Sequence, residues 1–542
     1  MLRLRSLSRA VARDLCLLLT MTSVHMKYLN KTIAYGLYLL VFLLPLQTRW
    51  IIKAGQLNHG PWEYGTYSLY ATDIVLASLL LLFIVCKFLI SPPSPKLRRT
   101  SNFPCPRQDK QFSSNFQFVN FQTKFKEPIW WFIGGLVLVS AVSSVGAADK
   151  LLALYKFGWL ILGLGLFWLV ASANYDRLKL VYAIGAGAFL SAGLGIWQFL
   201  SQATFANKWL GLAWHRGADL GASVIEAVGA DGVGERWLRA YGGLDHPNIL
   251  GGMLAIGTLL LIEQIVVRER VSNFPSFAKA AEDKQFFPPE AGQAIPLSSP
   301  GLRRTSNFQI IFNDKIFKYV DWFLLLVFTA GLFFSFSRSA WLALAAGLIV
   351  MVILAVGRGN LKLQKPLAET ILVMGILSLI LFSQYQNLVV SRLAGEGRLE
   401  NKSNFERLAS YQESWRIIKN NWLLGVGPGN YTLALRNKII PDQDSYYYQP
   451  AHNAFLLVWA EIGIGGLIFF VGAVIYLFVR LLRPQPQFLK LGLGSRHDSR
   501  TATLITLIVL LSLDHWLVSL HFGGLFFWLV LGLVYGKKSQ NT

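Results

Sequence analysis

The chain has 542 residues, of which 54% are hydrophobic and only 15% charged, with a mean hydropathy of +0.44. Soluble proteins normally carry about 25% charged residues, so a string of soluble domains is excluded. The 37 Phe, 17 Trp and 19 Tyr exclude disorder along the whole chain, and three cysteines without a spaced framework exclude a disulfide scaffold.

What remains is an all-α polytopic membrane protein. The net charge of +22 then belongs to basic loops beside membrane spans, and nucleic acid is not expected as a partner. Residues 1–31 carry Arg3, Arg5, Arg9 and Arg13 ahead of an apolar run and lack a small-residue cleavage site, which reads as a basic cytoplasmic leader. A helix needs about 20 apolar residues to cross a bilayer. Stretches of that kind predict spans near 32–52 and 70–92, then 128–146, 151–172, 178–200 and 248–267, then 319–336, 339–357 and 367–386, and last 452–479, 501–515 and 517–535. That is about twelve helices.

An even count puts both termini on one side, and Lys and Arg are about twice as frequent there, so that side is cytoplasmic. The domain organisation follows. Helices 1–2 lie in 32–92, helices 3–6 in 128–267, helices 7–9 in 319–386 and helices 10–12 in 452–535, with a cytoplasmic tail at 536–542. Two outer loops, 201–247 and 387–451, are long. Two basic low-complexity inserts, 93–127 and 268–318, face the cytoplasm. They share a repeat, Leu97-Arg98-Arg99-Thr100-Ser101-Asn102-Phe103 recurring at 302–308, and read as insertions without a role in chemistry.

No P-loop, dinucleotide fingerprint or His-Glu-x-x-His stretch is present. Asp442-Gln443-Asp444 matches a metal-holding pattern of sugar-nucleotide enzymes. Patterns that short recur by chance, and this one faces away from cytoplasmic nucleotides. Ionisable groups at the ends of spans are more informative, because placing them there is costly. Arg239-Ala240-Tyr241-Gly242-Gly243-Leu244-Asp245-His246-Pro247-Asn248 runs into the sixth span and sets Asp245 and His246 beside Arg239. Ser335-Phe336-Ser337-Arg338-Ser339 joins two spans, and a guanidinium flanked by hydroxyls suits phosphate oxygens. In the second outer loop, Phe405, Leu408, Trp415, Ile418 and Trp422 recur at helical spacing across 404–422, leaving Arg407, Tyr411 and Ser414 on another face. Gly425-Val426-Gly427-Pro428-Gly429-Asn430-Tyr431 follows. Its glycines could expose amides to an anion or form a plain turn. His452-Asn453 opens the tenth span, where a neutral imidazole can take a proton from a hydroxyl. Glu461 lies further along and could pair with an arginine or set the tautomer of His452.

In these stretches, together with His452-Asn453-Ala454-Phe455-Leu456 and the run Ala460-Glu461-Ile462-Gly463-Ile464-Gly465-Gly466, the sequence resembles the O-antigen ligase family, which includes O-antigen polymerases. The resemblance spans about 30–535 and is interrupted by the two inserts. It implies a GT-C-like membrane glycosyltransferase with a long, partly helical extracytoplasmic loop. Such an enzyme moves a glycan from a polyprenyl (undecaprenyl) pyrophosphate carrier to an acceptor hydroxyl outside a bacterial cytoplasmic membrane, and needs no metal or cofactor. The acceptor could be a glycan, a lipid, a protein hydroxyl or a wall polymer. By motif, Arg239 and Arg338 would hold the pyrophosphate and His452 would orient or deprotonate the acceptor hydroxyl. Arg407, Asp245, His246, Gly427, Gly429, Asn430 and Asn453 would complete the substrate site. The rival reading is a transporter of lipid-linked glycans, against which stand the lack of similar halves and the polar cluster at one face.

Overall fold

The computed structural model describes residues 28–88, 127–219, 221–228, 234–272, 301–357, 361–394, 398–483 and 494–536. The leader to residue 27, nearly all of the first insert, residues 273–300 of the second and the tail from 537 lie outside the described residues.

In chain order, α1 (Tyr28–Leu43) leads into the strands β1 (Arg49–Lys53), β2 (Gln56–Leu57), β3 (Gly60–Pro61) and β4 (Tyr67–Tyr70). Next come α2 (Ala71–Phe88), α3 (Ile129–Val145), α4 (Lys150–Ser172) and α5 (Arg177–Ser201). The hairpin β5 (Val224–Val228) and β6 (Gly234–Leu238) precedes α6 (Pro247–Ser272), α7 (Gly301–Phe334), α8 (Arg338–Gly357) and α9 (Leu361–Gln384). Then follow α10 (Gln386–Ala394), α11 (Arg398–Asn421), α12 (Tyr431–Lys438) and α13 (Ala454–Leu482), and finally α14 (Gly494–Leu513), α15 (Trp516–Ser519) and α16 (His521–Tyr535).

Seven helices among the described residues are long and apolar enough to cross a membrane: α4 and α5, the segments Pro247–Glu269 and Ile316–Phe334, α8, Gln364–Gln384 and α13. Tyr28–Leu43, Ala71–Cys86, Ile129–Val145 and α16 are shorter apolar helices. The chain is thus a mostly helical, multi-pass membrane protein.

Two expectations change at element boundaries. The first predicted span ends early, because Pro45 cannot continue a helix. Its apolar tail instead forms β1, pairing antiparallel with β4 from Arg49↔Tyr70 to Lys53↔Tyr67. The helix of the seventh span begins at Gly301, inside the stretch that reads as low complexity.

The chain divides into two compact units. The first comprises Met1–Ala183, Leu408–Arg480 and His515–Thr542, and the second Ile184–Arg407 and Leu481–Asp514. In the first unit α4 packs on α16 through small residues. A Cβ on Gly163 would lie 2.2 Å from the Trp528 ring, and one on Gly532 would lie 2.9 Å from Val170. In the second unit α6 is the central helix, buried along its whole apolar length and packed by α7, α8 and α14. Close approach again rests on glycine: a Cβ on Gly347 would meet Thr506 Oγ1 at 2.2 Å.

Candidate active site

The second unit gathers arginines. Arg239 leaves β6 with its backbone N–H donated to Ser223 O (3.1 Å), so the hairpin sets both its position and that of Ser223. Its guanidinium is buried at 3% exposure and fully engaged. Nε donates to Ser335 O (2.8 Å), Nη1 to Ser223 Oγ (2.8 Å), and Nη2 to Asn248 Oδ1 (2.8 Å) and Phe336 O (3.3 Å). Burial, with the Arg392 charge beside it, pulls its pKa well below the ordinary arginine value. Asn248 passes the contact on, donating Nδ2 to Asp514 Oδ2 (3.1 Å).

The turn before α8 organises the rest. Phe336 is buried and has φ +46°, a left-handed conformation rare for a bulky residue. Its carbonyl accepts from Arg239 and from Arg392 Nε (3.0 Å). Arg392, on α10, also donates to Glu400 of α11, and Glu400 lies 3.3 Å from Arg338 Nη2. Arg338 additionally donates to Asn404 Oδ1 (3.0 Å). Two guanidiniums therefore hold one carboxylate, the Arg239 charge lies within its influence, and the half-buried Arg407 adds a further positive charge felt by Arg338. The serine hydroxyls expected to join an anion site are instead engaged locally. Ser335 Oγ donates to Leu332 O (2.7 Å), and Ser337 Oγ accepts from Ala340 N (3.4 Å) as the cap of α8. Asp245 is exposed. His246 uses Nδ1 to accept from Asn248 N (3.1 Å) at the start of α6, which leaves Nε2 to face Ser223 Oγ at 3.4 Å.

The remaining predicted residues belong to the first unit. His452 is half-buried. Its ring centroid is 5.3 Å from that of His515, and its carbonyl accepts from Tyr411 OH (3.3 Å). Asn453 is the N-cap of α13, its Oδ1 accepting from Phe455 N (2.9 Å) and Leu456 N (3.1 Å). The glycine-rich stretch is laced onto a break in α13. Gly463 has φ +71° and ψ −177°, which frees neighbouring carbonyls, and Val426 N and Gly427 N donate to Ala460 O (2.9 Å) and Glu461 O (2.8 Å). The Glu461 carboxylate accepts from the amides of Gly429 and Tyr431 and faces Lys156 rather than an arginine. Asn430 holds Asp149, accepting from its N–H (2.9 Å) and donating to its carbonyl (3.2 Å). In this structure the loop's amides thus serve the protein's own helix break.

Sequence reading did not single out Arg392 or Glu400. Neither lies in a recognisable motif, and their role depends on the Phe336 carbonyl, more than fifty residues away in sequence.

The second unit thus sets a cation-rich polar centre among long apolar helices, as a polytopic membrane protein can hold it. Residues 323–471 match the family model described as O-antigen ligase. The match includes Arg338, Arg392, Glu400, Arg407 and His452, while Arg239 precedes it. No match was found among curated proteins.

Proposed function

We propose that the protein is an O-antigen ligase-type glycosyltransferase. It moves a glycan from a polyprenyl pyrophosphate carrier to an acceptor hydroxyl at the outer face of a bacterial cytoplasmic membrane, without a metal and with inversion. The observation that carries this reading is the surplus of guanidinium over carboxylate around Glu400, in the domain that matches the O-antigen ligase family.

The chemistry suits that surplus. The bond between the anomeric carbon and the pyrophosphate oxygen breaks, and its electron pair leaves with the pyrophosphate. The acceptor oxygen bonds to the same carbon from the opposite face and gives its proton to a general base. Negative charge grows on the leaving group as the bond breaks. Guanidiniums already fixed in place stabilise it without reorganisation, so they act more strongly on the transition state than on the bound donor. Arg338 is the arginine best suited to touch the phosphate, because it is partly exposed and, among the described residues, is held by Asn404 and Glu400. Arg239 supports it by fixing the Phe336 turn from within.

Transfer is tested in proteoliposomes supplied with a polyprenyl pyrophosphate-linked glycan and candidate acceptors, with EDTA and no nucleotide. Wild type forms a new glycosidic bond and Arg338→Ala loses about 100- to 1,000-fold in rate. A growing glycan as the productive acceptor identifies a polymerase. Movement of the glycolipid between leaflets with no bond formed makes the protein a transporter and removes the reading.

A further inference from the structure

From Leu408 onward α11 belongs to the first unit, and there it presents three faces. One is buried: Ile417 and Ile418 join the core formed with Tyr431 and Leu435, and Ser414 Oγ lies 2.8 Å from Tyr431 OH. A second is polar and exposed, with Gln412, Arg416 and Asn420. The third is apolar and also exposed. Leu408 and Trp415 lie two turns apart on one stripe, which Trp422, Leu423 and Leu424 continue past the end of the helix. Each of these five is 45–57% exposed. Single exposed apolar side chains are ordinary, but a contiguous patch marks a surface that something covers.

Its contacts show what covers it. Trp415 meets Trp459 of α13 edge-on, with centroids 5.6 Å apart, and Trp459 Nε1 donates to Trp422 O (3.2 Å). The same carbonyl accepts from Ile464 N (2.8 Å) at the break in α13, and Gly463 lies against the Leu423 carbonyl. The patch is thereby fixed to a membrane-spanning helix at a definite level. Counted back from Leu482, the about 20 residues that cross a hydrocarbon core end at Gly463, so the break stands at the edge of that core. From the break toward Leu482, the exposed stripe of α13 consists of Ile468, Ile475, Val479 and Leu482, the side that a span turns to lipid. Ile464, one turn from Ile468, joins that stripe to the patch on α11.

We propose that the stretch from Trp415 to Leu424 is an interfacial anchor, seated in the bilayer leaflet at the Ala454 end of α13. Leu423 and Leu424 enter the acyl chains, and the two indole rings lie at the boundary with the headgroups, where such rings are favoured. Lys419, beside the stripe and exposed, carries its ammonium to the lipid phosphates. The loop 387–451, which reads from its sequence as wholly outside the membrane, is then held partly within it. The inference does not depend on the transfer reaction.

The test is nitroxide labelling of the full chain in phosphatidylcholine–phosphatidylglycerol liposomes. With the three native cysteines replaced, single cysteines are placed as Trp415→Cys, Leu423→Cys and Leu424→Cys, with Asn420→Cys, Asp442→Cys and Ile475→Cys for comparison. Power saturation compares collision with oxygen, which concentrates in the bilayer, with collision with a water-soluble nickel chelate. Labels at 415, 423 and 424 favour oxygen, as the label at 475 does, and those at 420 and 442 favour nickel. The oxygen-to-nickel ratio at 423 exceeds that at 420 several-fold. The replaced side chains face away from the unit's core, so the variants fold as the parent does, and three positions keep the result from resting on one. Nickel preference at 423 and 424 would place the patch in water, open to a soluble partner. Weak collision with both reagents would mean that protein covers it, as in contact with a second copy of the chain. Either result overturns the proposal.

Discussion

Two arginines that look alike in the sequence differ in what holds them. Arg239 is buried, with every nitrogen engaged on Ser223, Asn248 and the carbonyls of Ser335 and Phe336. Arg239→Ala strands several of those acceptors, and each buried unpaired group costs about 1–3 kcal/mol. The variant should therefore lose stability first, which thermal unfolding in detergent reads. Arg338 is partly exposed, and Glu400 keeps its ion pair with Arg392 when Arg338 is removed. Arg338→Ala should melt close to wild type while its transfer rate collapses. Equal destabilisation of the two variants would make Arg338 a scaffold residue as well. Both arginines were legible in the sequence because each stands where an apolar span begins, and an ionisable group there needs a reason. Arg392 was not legible. It lies in a polar loop where arginines are ordinary, and only the fold brings it to the Phe336 carbonyl.

At the scale of elements, the glycine-rich stretch and α13 form one device. Gly463 breaks α13, and the carbonyls beside the break receive the amides of Val426 and Gly427. A Cβ on Gly463 would lie 2.0 Å from Leu423 O, and its φ of +71° is itself unfavourable for an L side chain. Gly463→Ala should cost about 2 kcal/mol or more, measured as a lowered unfolding midpoint. A variant as stable as wild type would mean that the break is incidental. From the sequence alone, glycines able to expose amides to an anion cannot be told from glycines that admit another helix, because the difference lies in what approaches them. Asn453 poses the same question. As an N-cap it should tolerate Asn453→Ser with little change, while Asn453→Ala loses about 1 kcal/mol of stability. A large fall in transfer rate for the well-capped serine variant would instead give Asn453 a substrate contact.

Over the whole molecule, hydropathy located the helices because a long apolar run in this composition has few other fates. It failed where runs were short. Trp50-Ile51-Ile52 extended the first apolar stretch yet pairs as a strand, and the 224–238 hairpin carries no signal stronger than a few β-branched residues. Orientation rests on the distribution of Lys and Arg and is open to direct test. With Cys16 and Cys105 replaced by Ser and the buried Cys86 by Ala, single cysteines can be placed at Trp209, Asp442 and Lys365, all of which are exposed. In spheroplasts, a membrane-impermeant maleimide should label Trp209→Cys and Asp442→Cys at once, and Lys365→Cys only after permeabilisation. The basic inserts would then lie with Lys365 on the side where positive charge collects, and the long loops that carry Arg239 and Arg407 on the opposite side, where the proposed transfer would take place. The inverted pattern would face those loops toward the cytoplasm, and a transferase acting outside the membrane could not be built from them.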